Sequence, residues 1–509
     1  MTRKRFTVKS NMFYPPLEEF KKIAVNHNII PVYKEILADC ETPVSTFAKL
    51  ALEKDYSYLL ESVEGTERWG RYSFISWDPK LIFKSKNKKY EIIENKQVFK
   101  SNSENPLSEL KKLMAAYKPA VIKGLPRFWG GAVGYIGYEM IHNFEDIARI
   151  NQNLEQLPDA ILLFTDTIII FDHFTHKTKI VACVDLAQKN VNLNKQYSDA
   201  CKKIDSIIKE LRNKRNLDIS NFLDFNRENK HVVEPKSNNT KTEYMDNVKK
   251  AKEYIRAGDI IQTVISQRFE KKISVHPFKI YRVLRTVNPS PYMYYLNLKD
   301  FQLIGSSPEI LVRKEDDMAE LRPIAGTKPR GKDEAEEKKY EKALLASPKE
   351  KAEHIMLVDL GRNDLGRVCD FNSIKIPELM VIERYSHVIH LVSFIIGKLK
   401  KGMDAFDLFE ACFPAGTVSG APKIRAMEII AELEKTPRET YAGSVGYFSY
   451  SGNMDMAITI RTILFKDKTA YVQAGAGLVA DSDPETEFYE TQNKAKALFS
   501  AIDLAESSN

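Results

Sequence analysis

The chain has 509 residues, 43% hydrophobic and 28% charged, an ordinary globular composition long enough for two domains or one very large one. Its 76 basic and 69 acidic residues are interleaved, so the net charge of +7 favours an anionic small substrate and leaves no footprint for nucleic acid. No apolar run reaches the roughly 18–20 residues of a membrane-spanning helix, since Asp166 interrupts the longest candidate, 160–171; Arg3-Lys4-Arg5 is not followed by the apolar stretch of a leader peptide, so a cytoplasmic protein is expected.

Residues 1–215 are expected to form an N-terminal domain. Short β-rich runs, such as Tyr90-Glu91-Ile92-Ile93 and Ile161-Leu162-Leu163-Phe164, alternate there with lysine-rich turns. The glycine-dense stretch 130–137 predicts a strand with close backbone packing. Helical spacing over 197–212 puts Ile204, Ile207, Ile208 and Leu211 on one stripe. The five cysteines have no CxxC spacing and read as reduced thiols. Residues 213–241 become rich in Asn, Lys, Asp and Ser and lose periodicity. A linker is therefore expected over 216–240, ahead of a second domain over 241–505.

The second domain carries more motifs. A helix is predicted from Thr242 to near Gly258, and strands over 260–269, 292–298 and 469–473. Ser347-Pro348-Lys349-Glu350 is a capping box, predicting a helix that runs towards Leu360 and stops at Gly361. Glu350 then serves the cap, whereas Glu353 does not. Asp483-Pro484 opens another helix, with Glu487, Glu490 and Lys494 on one face. Carboxylates from two helices, without a Cys or His cluster, suit a hard cation such as Mg2+. Glutamates also decorate most solvated helix faces, and spacing alone does not separate the two readings.

Gly475-Ala476-Gly477-Leu478-Val479-Ala480 matches G-x-G-x-x-A, but a dinucleotide site needs a helix opening at those glycines, and the helix is predicted later. What remains is backbone that a ligand can approach closely. The run 413–423 superficially resembles a phosphate loop. It lacks the contiguous Gly-Lys-Ser/Thr, and Pro422 removes an amide; the hydroxyls of Thr417 and Ser419 fit a polar, anionic organic ligand better. Arg461, in the alternating run 456–462, suits either a carboxylate-gripping fork or a surface salt bridge. His390, flanked by apolar residues, reads as a satisfied core histidine as readily as a catalyst.

Together, segments 321–327, 353–364, 390–393, 413–423 and 473–477 are similar to those of the chorismate-utilising enzymes, specifically the anthranilate synthase large subunits (component I), over nearly the whole chain. The resemblance implies an α+β fold, a large two-sheet antiparallel β-sandwich with helices packed outside. It implies Mg2+-dependent conversion of chorismate and ammonia to anthranilate and pyruvate, the first committed step of tryptophan biosynthesis. Glu353 and Glu490 match the Mg2+ ligands, with Glu487 beside them. Gly326, Thr327, Tyr441, Arg461 and the backbone of Gly475, Ala476 and Gly477 match chorismate-binding positions. His390 and Thr417 match residues around the departing hydroxyl, and Lys494 matches a lysine close to the metal and carboxylate.

Two positions separate the members of this family. Relatives that make aminodeoxychorismate carry a nucleophilic lysine where this chain has Ala325, and relatives that use water to make isochorismate carry a lysine base where it has Gln262. Alanine cannot attack the ring, and glutamine is no base at neutral pH, so both positions point to anthranilate. Leu59-Leu60-Glu61-Ser62 and Asn288-Pro289-Ser290-Pro291-Tyr292-Met293 resemble the two halves of the family's feedback site. That implies L-tryptophan as inhibitor, bound by Glu61, Ser62, Pro291, Tyr292 and Met293 with Arg71 added, and acting on the arrangement of the two domains. A non-enzymatic tryptophan-binding regulator is the remaining alternative. No cysteine sits in a Gly-x-Cys-x-Gly turn. Ammonia is therefore expected from a glutamine amidotransferase subunit (component II) in a heterotetramer.

Overall fold

The computed structural model describes residues 12–37, 39–62, 70–150, 157–187, 191–213, 234–385 and 388–507. Most of the expected linker lies outside them. Every strand pairing among the described residues but one isolated bridge is antiparallel, and the strands gather into one sheet of 13 and one of 12. Both sheets draw strands from either side of the linker. Tyr56–Glu61 pairs with Tyr292–Leu298 in the larger sheet, and Gly131–Ile136 pairs with Ser444–Ser449 in the smaller. The glycine-dense strand needs its small residues: a Cβ on Gly134 would lie 1.8 Å from the Ile161 carbonyl oxygen.

Alternating apolar residues explain the layers. One core fills the space between the sheets and includes Phe83, Tyr135, Leu162, Ile168, Leu296 and Phe448. A second lies between the outer face of the larger sheet and its helices, where the predicted stripe Ile204, Ile207, Ile208 and Leu211 is buried with Phe278, Tyr281 and Leu498. Each such side chain contributes about 1.5–3 kcal/mol when fully buried. A third core packs the helices Lys241–Ala257 and Lys423–Leu433 against Ile265 and Ala476. The expected sandwich with outer helices is therefore observed. Asp166 marks a crossing between sheets: Ala160–Thr165 belongs to the smaller and Thr167–Asp172 to the larger. Among the described residues no helix is long and apolar enough to cross a membrane.

The helix Lys241–Ala257 starts at a Thr240–Glu243 capping box and ends at Gly258, whose φ of 85° suits glycine. The helix expected to stop at Gly361 runs instead over Pro348–Val368. Gly361 is a packing residue, since a Cβ there would come 2.9 Å from Ile395 Cδ1 and 3.2 Å from Leu321 Cδ1. Its start is half as predicted. Ser347 Oγ accepts from the Glu350 amide at 3.3 Å, but no return bond from the Glu350 carboxylate forms; that carboxylate lies against Gly326 instead.

Candidate functional site

The site gathers where two long strands of the larger sheet meet a glycine corner. Gln262–Lys272 pairs with Thr469–Leu478, placing Val264 opposite Gly477 and Ser266 opposite Gly475. Alternation turns Gly475 and Gly477 to one face and Ala476 to the other, where its methyl group joins the third core. A Cβ on Gly475 would lie 2.7 Å from Tyr441 Oη, and one on Gly477 would lie 2.7 Å from Gln262 Nε2. Both glycines thus keep the wall bare beside the side chains predicted to line it. The neighbouring strand Thr462–Lys466 pairs only as far as Val472, so beyond it this edge has no strand partner among the described residues.

Arg461 is not in the strand expected to hold it. That strand, Met454–Ile458, ends first, and Arg461 sits in the link beyond it with φ at 51°. A non-glycine residue holds that conformation at a cost of about 1–2 kcal/mol. The turn aims the guanidinium inward, where Nη1 donates to the Lys494 carbonyl oxygen at 3.1 Å. Burial lowers its pKa, and among the described residues no carboxylate forms a salt bridge with it. Tyr441 lies alongside, its phenol pushed up to about 12 by burial, with the Gly475 amide at its oxygen.

On the opposite side, the helices Pro348–Val368 and Pro484–Ser507 bring carboxylates together. Lys494 pairs with Glu490 at 2.7 Å and donates to the Gly475 carbonyl oxygen at 2.9 Å. Burial, and then the nearby Glu350, raise the pKa of Glu353; burial is also the leading cause for Glu487, with Glu490 adding repulsion. These acids, Glu487 buried and Glu353 and Glu490 half-buried, carry more negative charge than Lys494 offsets, and their oxygens are hard donors. They fit a Mg2+ ion, although no group of three metal-ligating side chains is gathered among the described residues.

A third wall is a bulge. The strand Ile324–Pro329 pairs with Val388–Lys398, and the register shifts between Ala325 and Thr327 at Gly326, whose φ is 59°. The extra residue turns the Gly326 carbonyl and the Thr327 hydroxyl towards His390 Nδ1, each at 3.1 Å. A carbonyl oxygen only accepts, so Nδ1 carries the hydrogen and Nε2 keeps its lone pair. Burial lowers the imidazole pKa, so the ring is a neutral base at neutral pH. Ala325 is buried opposite Leu391.

The corner 413–423 divides its hydroxyls. Ser419 donates to the Ala415 carbonyl oxygen at 2.8 Å, so the expectation that it faces a ligand is corrected: it holds the corner's own shape. Thr417 Oγ1 is buried without a close hydrogen-bond partner among the described residues, and lies near enough to the Glu309 carboxyl to interact with it. Lys423 pairs with Asp364, both oxygens at 2.8 Å, and fastens the corner to the helix.

Sequence reasoning missed Glu309, in Ser306-Ser307-Pro308-Glu309. It lines the same small cavity as Thr417. Burial pushes its carboxyl up to about 8, with Thr417 and Lys494 opposing. Its only sequence signal was an acid at the end of an apolar strand.

Away from this region, all six residues predicted for the inhibitor line one cavity of about 400 Å³: Glu61, Ser62, Arg71, Pro291, Tyr292 and Met293. Glu61 Oε2 accepts from Tyr281 Oη at 2.5 Å and from Arg285 Nε at 3.1 Å. Glu61 Oε1 and Ser62 Oγ are buried without hydrogen-bond partners among the described residues. The Tyr292 hydroxyl instead joins Asp455 at 2.9 Å and Arg313 at 3.1 Å in the cavity wall.

The model for chorismate binding enzymes matches residues 56–500. Anthranilate synthase component 1 of Aquifex aeolicus (strain VF5) is 49% identical over 492 residues, covering 97% of this chain and 98% of the relative. That of Acetivibrio thermocellus is 47% identical over 495 residues, covering 97% and 99%. Anthranilate synthase component I from Streptococcus pneumoniae TIGR4 superimposes with a TM-score of 0.75 at 35% identity, covering 91% of this chain and 98% of that one. The menaquinone-specific isochorismate synthase from Escherichia coli gives 0.68 at 18% identity, covering 96% and 98%, a likeness of fold alone.

Proposed function

The chain belongs to the family of chorismate-binding enzymes, and we propose that within it this protein is an anthranilate synthase component 1. It would convert chorismate and ammonia to anthranilate, pyruvate and water. The observation that carries the reading is the half-buried Arg461, which forms no salt bridge among the described residues, beside the bare glycine backbone and the acids Glu353, Glu487 and Glu490. A dianion such as chorismate would answer both sides, with one carboxylate in the Arg461 fork and the other towards Lys494 and the cation that the acids would hold.

The residues divide the chemistry. Glu353 and Glu490, with Glu487 beside them, would hold Mg2+, which when bound supplies Lewis-acid charge to a substrate carboxylate. Glu309, still protonated at neutral pH, is placed to give its proton to the hydroxyl that leaves as water when ammonia adds to the ring. Thr417 orients that hydroxyl. His390 takes the ring proton at Nε2 as the enolpyruvyl group departs and the ring becomes aromatic, and returns it to the methylene carbon of that group, which leaves as pyruvate. Ala325 offers no amine to attack the ring, which speaks against an aminodeoxychorismate product. Gln262 cannot activate water, which speaks against isochorismate. The intact set of acid, base and anion-binding groups disfavours a binding-only regulator.

The remote cavity suits L-tryptophan. Its volume lies within the roughly 300–1,000 Å³ of small-molecule sites, and Glu61 Oε1, unpartnered among the described residues, suits an ammonium group. Ammonia would reach the site from a glutamine amidotransferase subunit. Incubation with chorismate, Mg2+ and ammonium should yield anthranilate fluorescence, and tryptophan should quench the turnover. A different product, or none, refutes the reading.

A further inference from the structure

One buried ion pair is left over from both sites. Arg438 is 2% exposed and Glu434 6%. Glu434 caps the end of the helix Lys423–Leu433, and Arg438 follows in the irregular link beyond it. The guanidinium holds the carboxylate in a fork, with Nε donating to Oε2 at 2.9 Å and Nη2 to Oε1 at 2.7 Å. Nη1 also donates to the Val418 carbonyl oxygen, and Nη2 to that of Val264, each at 2.7 Å. Glu434 Oε1 accepts from the Ser266 amide at 2.7 Å and the Ser266 hydroxyl at 2.8 Å. Gln473 Nε2 donates to the same hydroxyl at 2.8 Å.

The two carbonyls belong to different elements. Val418 sits between Thr417 and Ser419 on the glycine corner; Val264 is two residues beyond Gln262 on the same strand face. Ser266 lies opposite Gly475. Tyr441 is tied through its amide, which donates to the Arg438 carbonyl oxygen at 2.9 Å, and its ring centre is 5.6 Å from the guanidinium carbon. One side-chain pair thus reaches the corner, both long strands and Tyr441.

Stability does not account for a charged pair at this place. Apolar residues of similar volume commonly replace a buried ion pair with no loss, or with a gain, in stability. What they cannot do is bond two backbone carbonyls in fixed directions. We propose that Glu434 and Arg438 form a positioning staple that sets the Thr417 corner against the Gln262 strand and so governs turnover. This rests on the reading of Thr417, Gln262 and Tyr441 as site residues. Arg438 touches no reacting atom; it acts through the backbone it holds, where a misplacement of about 1 Å is enough to cost on the order of 10²-fold in rate.

The test uses Arg438→Lys and the double variant E434M/R438M. Lysine keeps a charge for Glu434, but its ammonium cannot make the fork and both carbonyl bonds together. The double variant removes the staple while keeping the volume apolar. Each is assayed well below its own Tm, so that loss of folded protein does not enter. Expected are a kcat lower by on the order of 10²-fold, a KM for chorismate within about threefold of the parent, and faster amide exchange over residues 416–421. A folded variant whose kcat stays within about threefold of the parent and whose corner exchanges no faster overturns the proposal. So does failure of both variants to fold, which would make the pair a folding element. A parent that does not turn over chorismate refutes the functional reading instead, and exchange at the corner still decides whether the staple holds it.

Discussion

Replacing Glu309 with glutamine separates an acid catalyst from a structural residue, because its two consequences run in opposite directions. Glutamine keeps the shape and a hydrogen-bonding end beside Thr417 but has no proton to give. General-acid catalysis typically contributes 10²–10⁴-fold, so kcat should fall on that order. The stability effect follows from the carboxyl pKa, about 8 in the folded chain against an ordinary value of 4.5. Between those values the folded state binds more protons than the unfolded one, so stability falls as pH rises through that window and is unaffected below it. At pH 7 the penalty is about 3 kcal/mol, and glutamine removes it. The variant should therefore melt at a higher temperature than the parent, by a margin that grows from pH 5 to pH 8, while making anthranilate far more slowly. In the parent, kcat should decline as pH rises through about 8, and the variant should lack that limb. Steady-state fluorescence kinetics and thermal melts across pH supply both readouts. A variant with kcat within about threefold of the parent, or a melting difference that does not change with pH, refutes the assignment.

Arg461→Gln should raise KM for chorismate roughly 10- to 100-fold, since a charge-assisted hydrogen bond is worth about 1.5–3 kcal/mol; initial-rate kinetics showing an unchanged KM would remove the arginine from the carboxylate site. Gly475→Ala places a methyl group 2.7 Å from Tyr441 Oη and 2.9 Å from Val264 Cγ1. It should lower kcat/KM by about tenfold or more with the fold retained by circular dichroism, and full activity would show that the wall is not in contact with substrate. Ser62→Arg fills part of the remote cavity and should leave turnover intact while abolishing inhibition by tryptophan; inhibition equal to the parent's would place the inhibitor elsewhere.

What the sequence made legible was local. Ser347 and Asp483 each announce a helix within four residues, Thr240 opens one two residues ahead of the predicted Thr242, and the glycine corners announce close approach wherever they fall. Those signals placed Glu353, Glu490 and Lys494 on the correct helices, whereas Gly475, expected in a corner after a strand ending at 473, lies within the strand Thr469–Leu478. Ala325 and Gln262 carried information through what they lack, and only beside a family resemblance. The misses were long-range. Gly361 reads as a stop until Ile395 and Leu321 are seen packed against it. Arg461 reads as a strand residue because the left-handed link leaves no mark on the alternation of 456–462. Ser419 and Thr417 look equivalent until the corner's own Ala415 carbonyl claims one of them. Glu309 becomes an acid through burial by elements distant in sequence, and Arg438 bonds carbonyls 20 and 174 positions away. The joining of both halves of the chain in each sheet is likewise a property of pairing that no single segment displays.

The central claim is that this site joins free ammonia to the chorismate ring and expels pyruvate. Nitrogen-labelled ammonium supplied with chorismate and Mg2+ tests it most directly, with both products analysed by mass spectrometry. The expected result is labelled anthranilate and pyruvate in equal amounts. Labelled aminodeoxychorismate without pyruvate, or unlabelled isochorismate, would contradict it.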